Sequence, residues 1–426
     1  YSVSDALRIT RYPFQGLPMN LHSADRKLTA IAEALPELLA SLPCMAETEE
    51  VPLCDAVGRI LGTEVLAGID VPPHANSAMD GYAVRAAEFS KERIFPVSQR
   101  IAAGEVGNAL STGCVARIFT GAPLPPGADA VVMQENIESL SEGIRILQSV
   151  QPGENVRAAG EDIKTGQLLF EPGRRLYPQD LGVLASVGLS HIAVRRRLRV
   201  ALLVTGDELA MPGTPLRPGQ IYNSNYFTLH ALLSNLCAEV IEIGMVQDDY
   251  EATRSVLVQA AEEADVIVST GGVSVGEEDH VKAAVESLGG LDLWKLAIKP
   301  GKPFASGKVC GKQFFGLPGN PVSAFVTFVL LVRPALLSMQ GTSRLFPDWL
   351  DVPAGFAIDR SGERQEYLRV RVREDGEGNA SLERFDNQSS GVGASLSLAD
   401  GLAVVPPKTA VSVGDRLKFL PFSELV

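Results

Sequence analysis

The chain has 426 residues, with Asp+Glu 51 against Lys+Arg 38 and a formal charge of -13. Hydrophobic residues make up 46% and mean hydropathy is +0.11, which excludes a disordered chain, while the acidic balance argues against bulk nucleic-acid binding. At roughly 100–200 residues per domain, the length implies two to four domains. Gly 40 and Pro 27 lie somewhat above the usual share of about 12% for the pair, so special turns are expected to be frequent.

In chain order, the N-terminus shows no apolar h-region, so no signal peptide is predicted. Leu28, Ile31, Leu35, Leu38 and Leu39 recur at helical spacing, with Pro36 expected to break or kink the segment. Residues 51–66 read as strand-like. From 68 to 152 short apolar runs alternate with Pro/Gly turns, the pattern of a β-rich module. Helix and strand signals return at 166–197, so one domain interrupted by that module is the simplest organisation. Residues 198–345 alternate strands and helices, which predicts βαβ units and a mainly parallel sheet. Ser224 is the expected N-cap of the helix that follows it. The tail has no helical period; Leu368, Val370 and Val372 alternate with Arg369, Arg371 and Arg373, as in a small β-barrel or sandwich. The domains expected are therefore 1–67 (N-terminal helix and first part of the discontinuous domain), 68–152, 153–197 (its second part), 198–347 and 348–426.

Five cysteines, without a CxxC pair, predict reduced thiols in a cytosolic protein. The apolar run from Pro321 to Leu337 is interrupted by Ser323, Thr327, Arg333 and Pro334, and is expected to be too short and broken to cross a membrane. Five histidines show neither HxH nor HExxH spacing, against a zinc hydrolase.

Ligands of open α/β sheets bind beyond the C-terminal strand ends. Three loops are expected there: Thr205-Gly206-Asp207-Glu208; Thr270-Gly271-Gly272-Val273-Ser274-Val275-Gly276; and Leu317-Pro318-Gly319-Asn320-Pro321. Paired glycines let backbone N–H groups approach a phosphate or carboxylate, helped by a helix N-terminus; an ordinary βα turn uses glycine for shape alone. In the third loop Asn320 caps a helix with Pro321 at its first position, and its free N–H groups offer a second anion contact. Lys295 and Lys299 share one face of a predicted strand, with Lys302 beyond a Pro-Gly turn; three cations there suit an oxyanion, and solvated edge lysines are the plainer explanation. Glu208, Asp248 and Asp279 are general-base or Mg²⁺ candidates, although capping explains some of them. Asp80-Gly81 reads as a hairpin turn, and Thr120 sits in a turn-rich loop.

SAMDGYAVR, TGAPLPPGADAVV, GENVRAAGEDIKTG, TGDEL, GGVSVGEED, KLAIKPGKP and GLPGNPVSAFVTF occur in this order. Together they resemble the molybdopterin molybdenumtransferase (MoeA) family, including the E domain of gephyrin, over roughly residues 25–420. The resemblance implies a central α/β molybdopterin-binding-like domain, a discontinuous α+β domain with a β-rich insertion, and a C-terminal small β-barrel. It implies insertion of molybdenum from molybdate into the dithiolene of adenylylated molybdopterin with release of AMP and a requirement for Mg²⁺. It implies an elongated homodimer whose site is shared between subunits, with molybdopterin adenylyltransferase and downstream cofactor-processing proteins as partners. By motif position, the catalytic residues fall on Asp80, Thr120, Glu208, Asp279, Lys295, Lys299 and Arg369. Asp248 (or Asp249) and Asp279 would hold the metal. Thr205, Gly206, Gly271, Gly272, Ser274, Gly276, Lys302, Pro318, Gly319 and Asn320 would contact the pterin substrate. A serine from Ser389-Ser390-Gly391 or from Ser395-Leu396-Ser397 completes the set. The alternatives are a molybdopterin adenylyltransferase, which would not need the insertion or the tail, a gephyrin-E-like scaffold, and a paralogue handling tungsten.

Overall fold

The computed structural model describes residues 9–10, 28–246, 248–272 and 280–425. At its centre lies a six-stranded sheet in the order Glu239–Val246, Arg199–Thr205, Val266–Thr270, Lys312–Leu317, Pro303–Val309, Gly289–Lys295. The first four strands pair in parallel. Pro303–Val309 runs antiparallel to both of its neighbours, so Gly289–Lys295 again points the same way as the parallel set. The sequence pattern marks no strand at Pro303–Val309, because Ser306-Gly307-Lys308 interrupts its apolar run.

Both sheet faces are covered, as a mainly parallel sheet requires. On one face Val200, Leu202, Val266, Val268, Phe304 and Phe315 pack against the helices Ser224–Asn235 and Pro321–Met339. On the other, Ala201, Leu203, Ile267 and Phe314 pack against Tyr250–Glu263 and His280–Leu288. Pro321–Met339 is long and apolar enough to span a bilayer by length and composition, but 94% of it is buried inside the protein as the core helix of this layer. The expectation that Arg333 and Pro334 break it is not met. A π-helical segment, Phe328–Val332, leads into Arg333–Met339 with Pro334 in its first turn, where a missing N–H is tolerated, and Arg333 turns its guanidinium to the carbonyls of Leu345 and Glu424.

Two further sequence expectations change. The helix Ile31–Ala40 continues through Pro36, and Ile31, Ala34, Leu35 and Leu38 join the α/β core. It packs with residues 198–347 and not with the discontinuous domain to which 1–67 was assigned, because that is where an apolar face complements its own. The N-cap of Ser224–Asn235 is Asn223, whose side chain accepts the Tyr226 N–H at 3.1 Å, in place of Ser224.

Residues 48–66 and 166–195 share one small core. Thr48–Pro52 pairs with His191–Arg195, and Val65–Leu66 with Leu168–Phe170, over Leu61, Leu176, Leu184 and Val194. Between these halves lies the β-rich module. Its four-stranded sheet has Gly81–Val84 inside, flanked by Val115–Ile118 and Ala130–Met133, with Val97–Ile101 outermost. Asp80-Gly81 is therefore no hairpin turn; it opens an inner strand. A Cβ on Gly81 would lie 2.0 Å from the Val132 carbonyl oxygen, so the glycine serves close strand approach.

The tail forms most of a seven-stranded sheet that recruits Ile298–Lys299, which pairs in parallel with Gln365–Glu366. The sheet curls until the Gly355 N–H donates to the Leu382 carbonyl at 2.8 Å. A short helix, Ala394–Leu398, interrupts the otherwise β tail.

Leu35 is 1% exposed in the core that the N-terminal helix shares with the sheet. Leu35→Ala is expected to destabilise the α/β unit by roughly 2–5 kcal/mol in denaturant titration. A loss below about 0.5 kcal/mol would mean that the helix is not docked there in solution.

Candidate active site

Five strand ends meet at one edge of the central sheet: Thr205, Val246, Thr270, Leu317 and Lys295. The antiparallel strand starts there too, at Pro303, preceded by Lys302. The loops between them touch. A Cβ on Gly271 (φ +88°) would sit 2.6 Å from the Thr205 carbonyl oxygen, and one on Gly272 (φ +64°) would sit 3.0 Å from Thr205 Oγ1. Only glycine allows these backbones to approach with positive φ. The Thr270 hydroxyl donates to the Pro318 carbonyl at 3.0 Å, and the Gly271 N–H to the Leu317 carbonyl at 3.2 Å. Asn225 Nδ2 donates to Thr270 Oγ1 at 3.2 Å and to the Gly319 carbonyl at 2.7 Å, tying the second and third loops together. The sequence pattern does not single out Asn225; its only local signal is the preceding cap.

The acids sort themselves by geometry. Asp249 Oδ1 accepts the Ala252 N–H at 2.9 Å and caps Tyr250–Glu263. Asp248 keeps its carboxylate exposed, while its N–H donates to Asp207 Oδ1 at 3.2 Å. Asp207, a bystander by sequence, thus braces the ends of two neighbouring strands. The exposed Glu208 folds back over Gly206, where a Cβ would meet its Oε2 at 2.5 Å. Among the described residues no three His, Cys, Asp or Glu side chains gather as a metal site. Ser274, Gly276 and Asp279 lie outside the described residues.

The lysine pair does not share a strand face. Gly289–Lys295 ends at Lys295, whose carbonyl accepts the Thr29 N–H at 2.8 Å, and the backbone then crosses into the tail's sheet at Ile298–Lys299. Lys299 Nζ donates to Glu366 Oε2 at 3.2 Å. Lys302 returns beside Lys295, its carbonyl accepting the Leu296 N–H at 2.7 Å. Among the described residues, neither Lys295 nor Lys302 has an ion-pair partner, so the unneutralised cations at this edge are Lys295 and Lys302.

Arg369 is enclosed by its own chain. It is 0% exposed. Its Nε–H donates to Ser395 Oγ at 2.8 Å, and its terminal nitrogens donate to the carbonyls of Asn387, Gln388 and Ser389. Burial without a counter-ion holds its pKa below the ordinary arginine value. The alternation that predicts an outward Arg369 fails because residues 387–398 cover that face of the strand. Arg369 positions this segment, and the segment reaches the third loop: the Ser390 carbonyl accepts the Val322 N–H at 3.0 Å. One of the helix N–H groups expected to be free is thus already engaged. Ser395 is committed as well, accepting from Arg369 and donating to the Val392 carbonyl. Of the two serine sets, Ser389-Ser390 is the one beside the helix start.

In the β-rich module, Asp80 Oδ1 accepts both the N–H of Thr120 at 2.8 Å and its hydroxyl at 2.9 Å. These bonds, with the Arg117 charge adding to them, hold the Asp80 carboxyl below the usual aspartate range. Asp80 and Thr120, 40 residues apart, are therefore one unit. No hydrogen bond or ion pair among the described residues joins residues 68–165 to residues 199–345, so nothing of that kind brings this unit to the glycine loops within one chain.

Family models match along most of the length: the MoeA N-terminal region (domain I and II) over residues 29–188, the probable molybdopterin binding domain over 201–338, and the MoeA C-terminal region (domain IV) over 351–422. The molybdopterin molybdenumtransferase of Haemophilus influenzae is 36% identical over 403 residues, covering 94% of this chain and 100% of that protein. That of a Nostoc species is 34% identical over 371 residues, 84% of this chain and 85% of the relative. The crystal structure of a molybdopterin biosynthesis MoeA protein from Pyrococcus horikoshii superimposes with TM-score 0.76 at 33% identity, covering 93% of this chain and 99% of the other. A multidomain fold of mixed α/β content with a molybdopterin-binding-type domain is what these matches share. The chain belongs to the MoeA, or molybdopterin molybdenumtransferase, family.

Thr120→Val removes the hydroxyl donor to Asp80 and keeps the backbone one. The Asp80 carboxyl, followed by ¹³C NMR, is expected to titrate nearer the ordinary aspartate value in the variant. A depressed folded-state pKa contributes stability above the unfolded-state value and loses it as pH falls through the folded one. Acid unfolding of the module should therefore begin at higher pH in Thr120→Val. An unaltered Asp80 titration would show that the hydroxyl bond is not maintained in solution.

Proposed function

We propose that this enzyme acts in molybdenum cofactor biosynthesis, inserting molybdenum from molybdate into the dithiolene of adenylylated molybdopterin and releasing AMP. The observation that carries the reading is the convergence of the Thr205, Gly271-Gly272 and Pro318-Gly319-Asn320 loops beside Lys295 and Lys302. Backbone N–H groups and unneutralised ammonium groups at one sheet edge suit phosphate and molybdate, both tetrahedral oxyanions. The sulfurs that receive the metal belong to the substrate, so the protein needs to position and neutralise more than to attack.

Mg²⁺ fits the donor set in kind. Glu208 and Asp248 offer exposed hard carboxylate oxygens at adjoining strand ends, and Mg²⁺ is commonly held by one or two carboxylates together with substrate phosphates. Asp248 is the described residue that would hold it, with Asp279 assigned by motif. Bound there, the ion would offset charge on the adenylyl phosphates. Lys295 and Lys302 would bind oxyanion oxygens, and Lys299, restrained by Glu366, would hold the connecting loop in register. The segment 387–395, fixed by Arg369, would close the side of the pocket formed by Asn320 and Pro321.

Asp80 and Thr120 enter the site by dimerisation. In this reading two copies associate so that the β-rich module of one faces the glycine loops of the other. The separation of the module from residues 199–345 within one chain supports this. Molybdopterin adenylyltransferase would supply the substrate, downstream cofactor-processing proteins would receive the product, and a cytosolic location goes with both.

With adenylylated molybdopterin, molybdate and Mg²⁺, the protein should release AMP, and excess chelator should stop it; absence of release with every component present would overturn the activity. Lys295→Ala should lose on the order of 10–10²-fold in kcat/KM with little change in melting.

Asp80→Ala and Lys295→Ala chains, each impaired alone, should together regain activity above that of either when mixed, because some hybrid dimers carry one intact site. Hybrid dimers that form and show no such gain would refute a shared site.

A further inference from the structure

Beside the Asp80–Thr120 unit the β-rich sheet carries two arginines in register on neighbouring strands, Arg100 and Arg117. Like charges directly opposite each other weaken a sheet. Among the described residues neither side chain makes an ion pair: the Arg100 side chain makes no hydrogen bond, and Arg117, whose charge also acts on Asp80, donates to the Gly81 carbonyl at 3.0 Å and to Gln134 Oε1 at 2.6 Å. Both guanidinium groups lie over the ring of Phe119, its centre 4.5 Å from the carbon of Arg100 and 4.7 Å from that of Arg117. Tyr82 stacks on Arg117 in turn, at 5.1 Å. Arg100 is exposed, and Phe119 and Arg117 are half-buried. The row thus alternates planar cations with aromatic rings, starts next to Thr120, and lies on a chain of net charge -13.

We infer that Arg100, Phe119 and Arg117 form a subsite for a nucleoside monophosphate, the guanidinium groups taking the phosphate and the aromatic-guanidinium row taking the face of the base. Planar guanidinium groups bond phosphate with two parallel N–H donors and stack on π-systems, so one row serves both halves of such a ligand. The inference deepens the reading above, in which the substrate carries an adenylyl group. The subsite would place that group against Asp80 and Thr120 while the pterin phosphate occupies the glycine loops of the partner copy. It would also make free AMP a product inhibitor.

The test uses the intact protein and AMP alone, by isothermal titration calorimetry. Wild type should bind AMP, and Arg100→Gln should weaken it on the order of tenfold. Arg117→Lys, which keeps the charge and gives up the forked donor, should weaken it as well. Phe119→Leu should weaken AMP and leave ribose 5-phosphate unaffected, separating the base from the phosphate. Melting curves should show all three variants folded; if one is not, the other two carry the test. No AMP binding by wild type, or equal binding by wild type, Arg100→Gln and Arg117→Lys, would overturn the subsite. Neither result depends on molybdenum insertion, which the AMP-release assay decides separately.

Discussion

The site rests on the contact between Gly271-Gly272 and Thr205. Two parallel strands end side by side, and the loop leaving one folds over the last residue of the other without space for a Cβ. That close approach brings the second loop down onto the first, and the hydrogen bonds of Thr270 and Asn225 then draw the third loop in. Remove the approach and the three loops become separate turns. The sheet beneath is packed on both faces, so the strand ends cannot splay to compensate. Rigidity below and glycine above are what hold the three loops together at one sheet edge.

Around this edge the remaining parts act as braces. Asp207 joins the ends of two strands, Asp249 caps a helix, and Arg369 stiffens the segment that reaches Val322. Each spends its polar groups on neighbours in the chain. The groups left over (the carboxylates of Glu208 and Asp248, and the ammonium groups of Lys295 and Lys302) are those with no competing structural use. Function here is visible as what folding has not consumed.

Much of this was legible in the sequence. Buried strands at 199–205 and 266–270 and the edge strand at 239–246 announce themselves by apolar runs between helices, and glycine pairs at strand ends announce the loops. The lysines were misplaced because LDLWKLAI alternates like one strand, whereas the chain leaves its sheet after Lys295 to join another; a period-2 pattern cannot tell a continuous strand from a crossing between sheets. The alternation of apolar residues with arginines implies one face of water, and a covering segment distant in sequence makes Arg369 a core residue. Asp248 and Asp249 look alike in sequence and are told apart only by which one finds the Ala252 N–H. Asn225 leaves no trace, since its partners are backbone carbonyls, which every sequence possesses. Asp80 and Thr120 are marked by the family's motifs and not by any local pattern, and the fold is what shows them paired.

The helix Ile31–Ala40 has a further consequence, for synthesis. It buries its apolar face against a layer completed by Pro321–Met339, so it emerges early and its docking surface emerges late. At about 5–20 residues per second, the roughly 280 intervening residues take on the order of 15–60 s to make. For that interval Ile31, Leu35 and Leu38 have no native partner on the later helix, and the nascent chain presents them to whatever else is near. The halves at 48–66 and 166–195, by contrast, can pair as soon as the second is released. The interrupted domain can therefore stand folded while the helix ahead of it still waits for its partner.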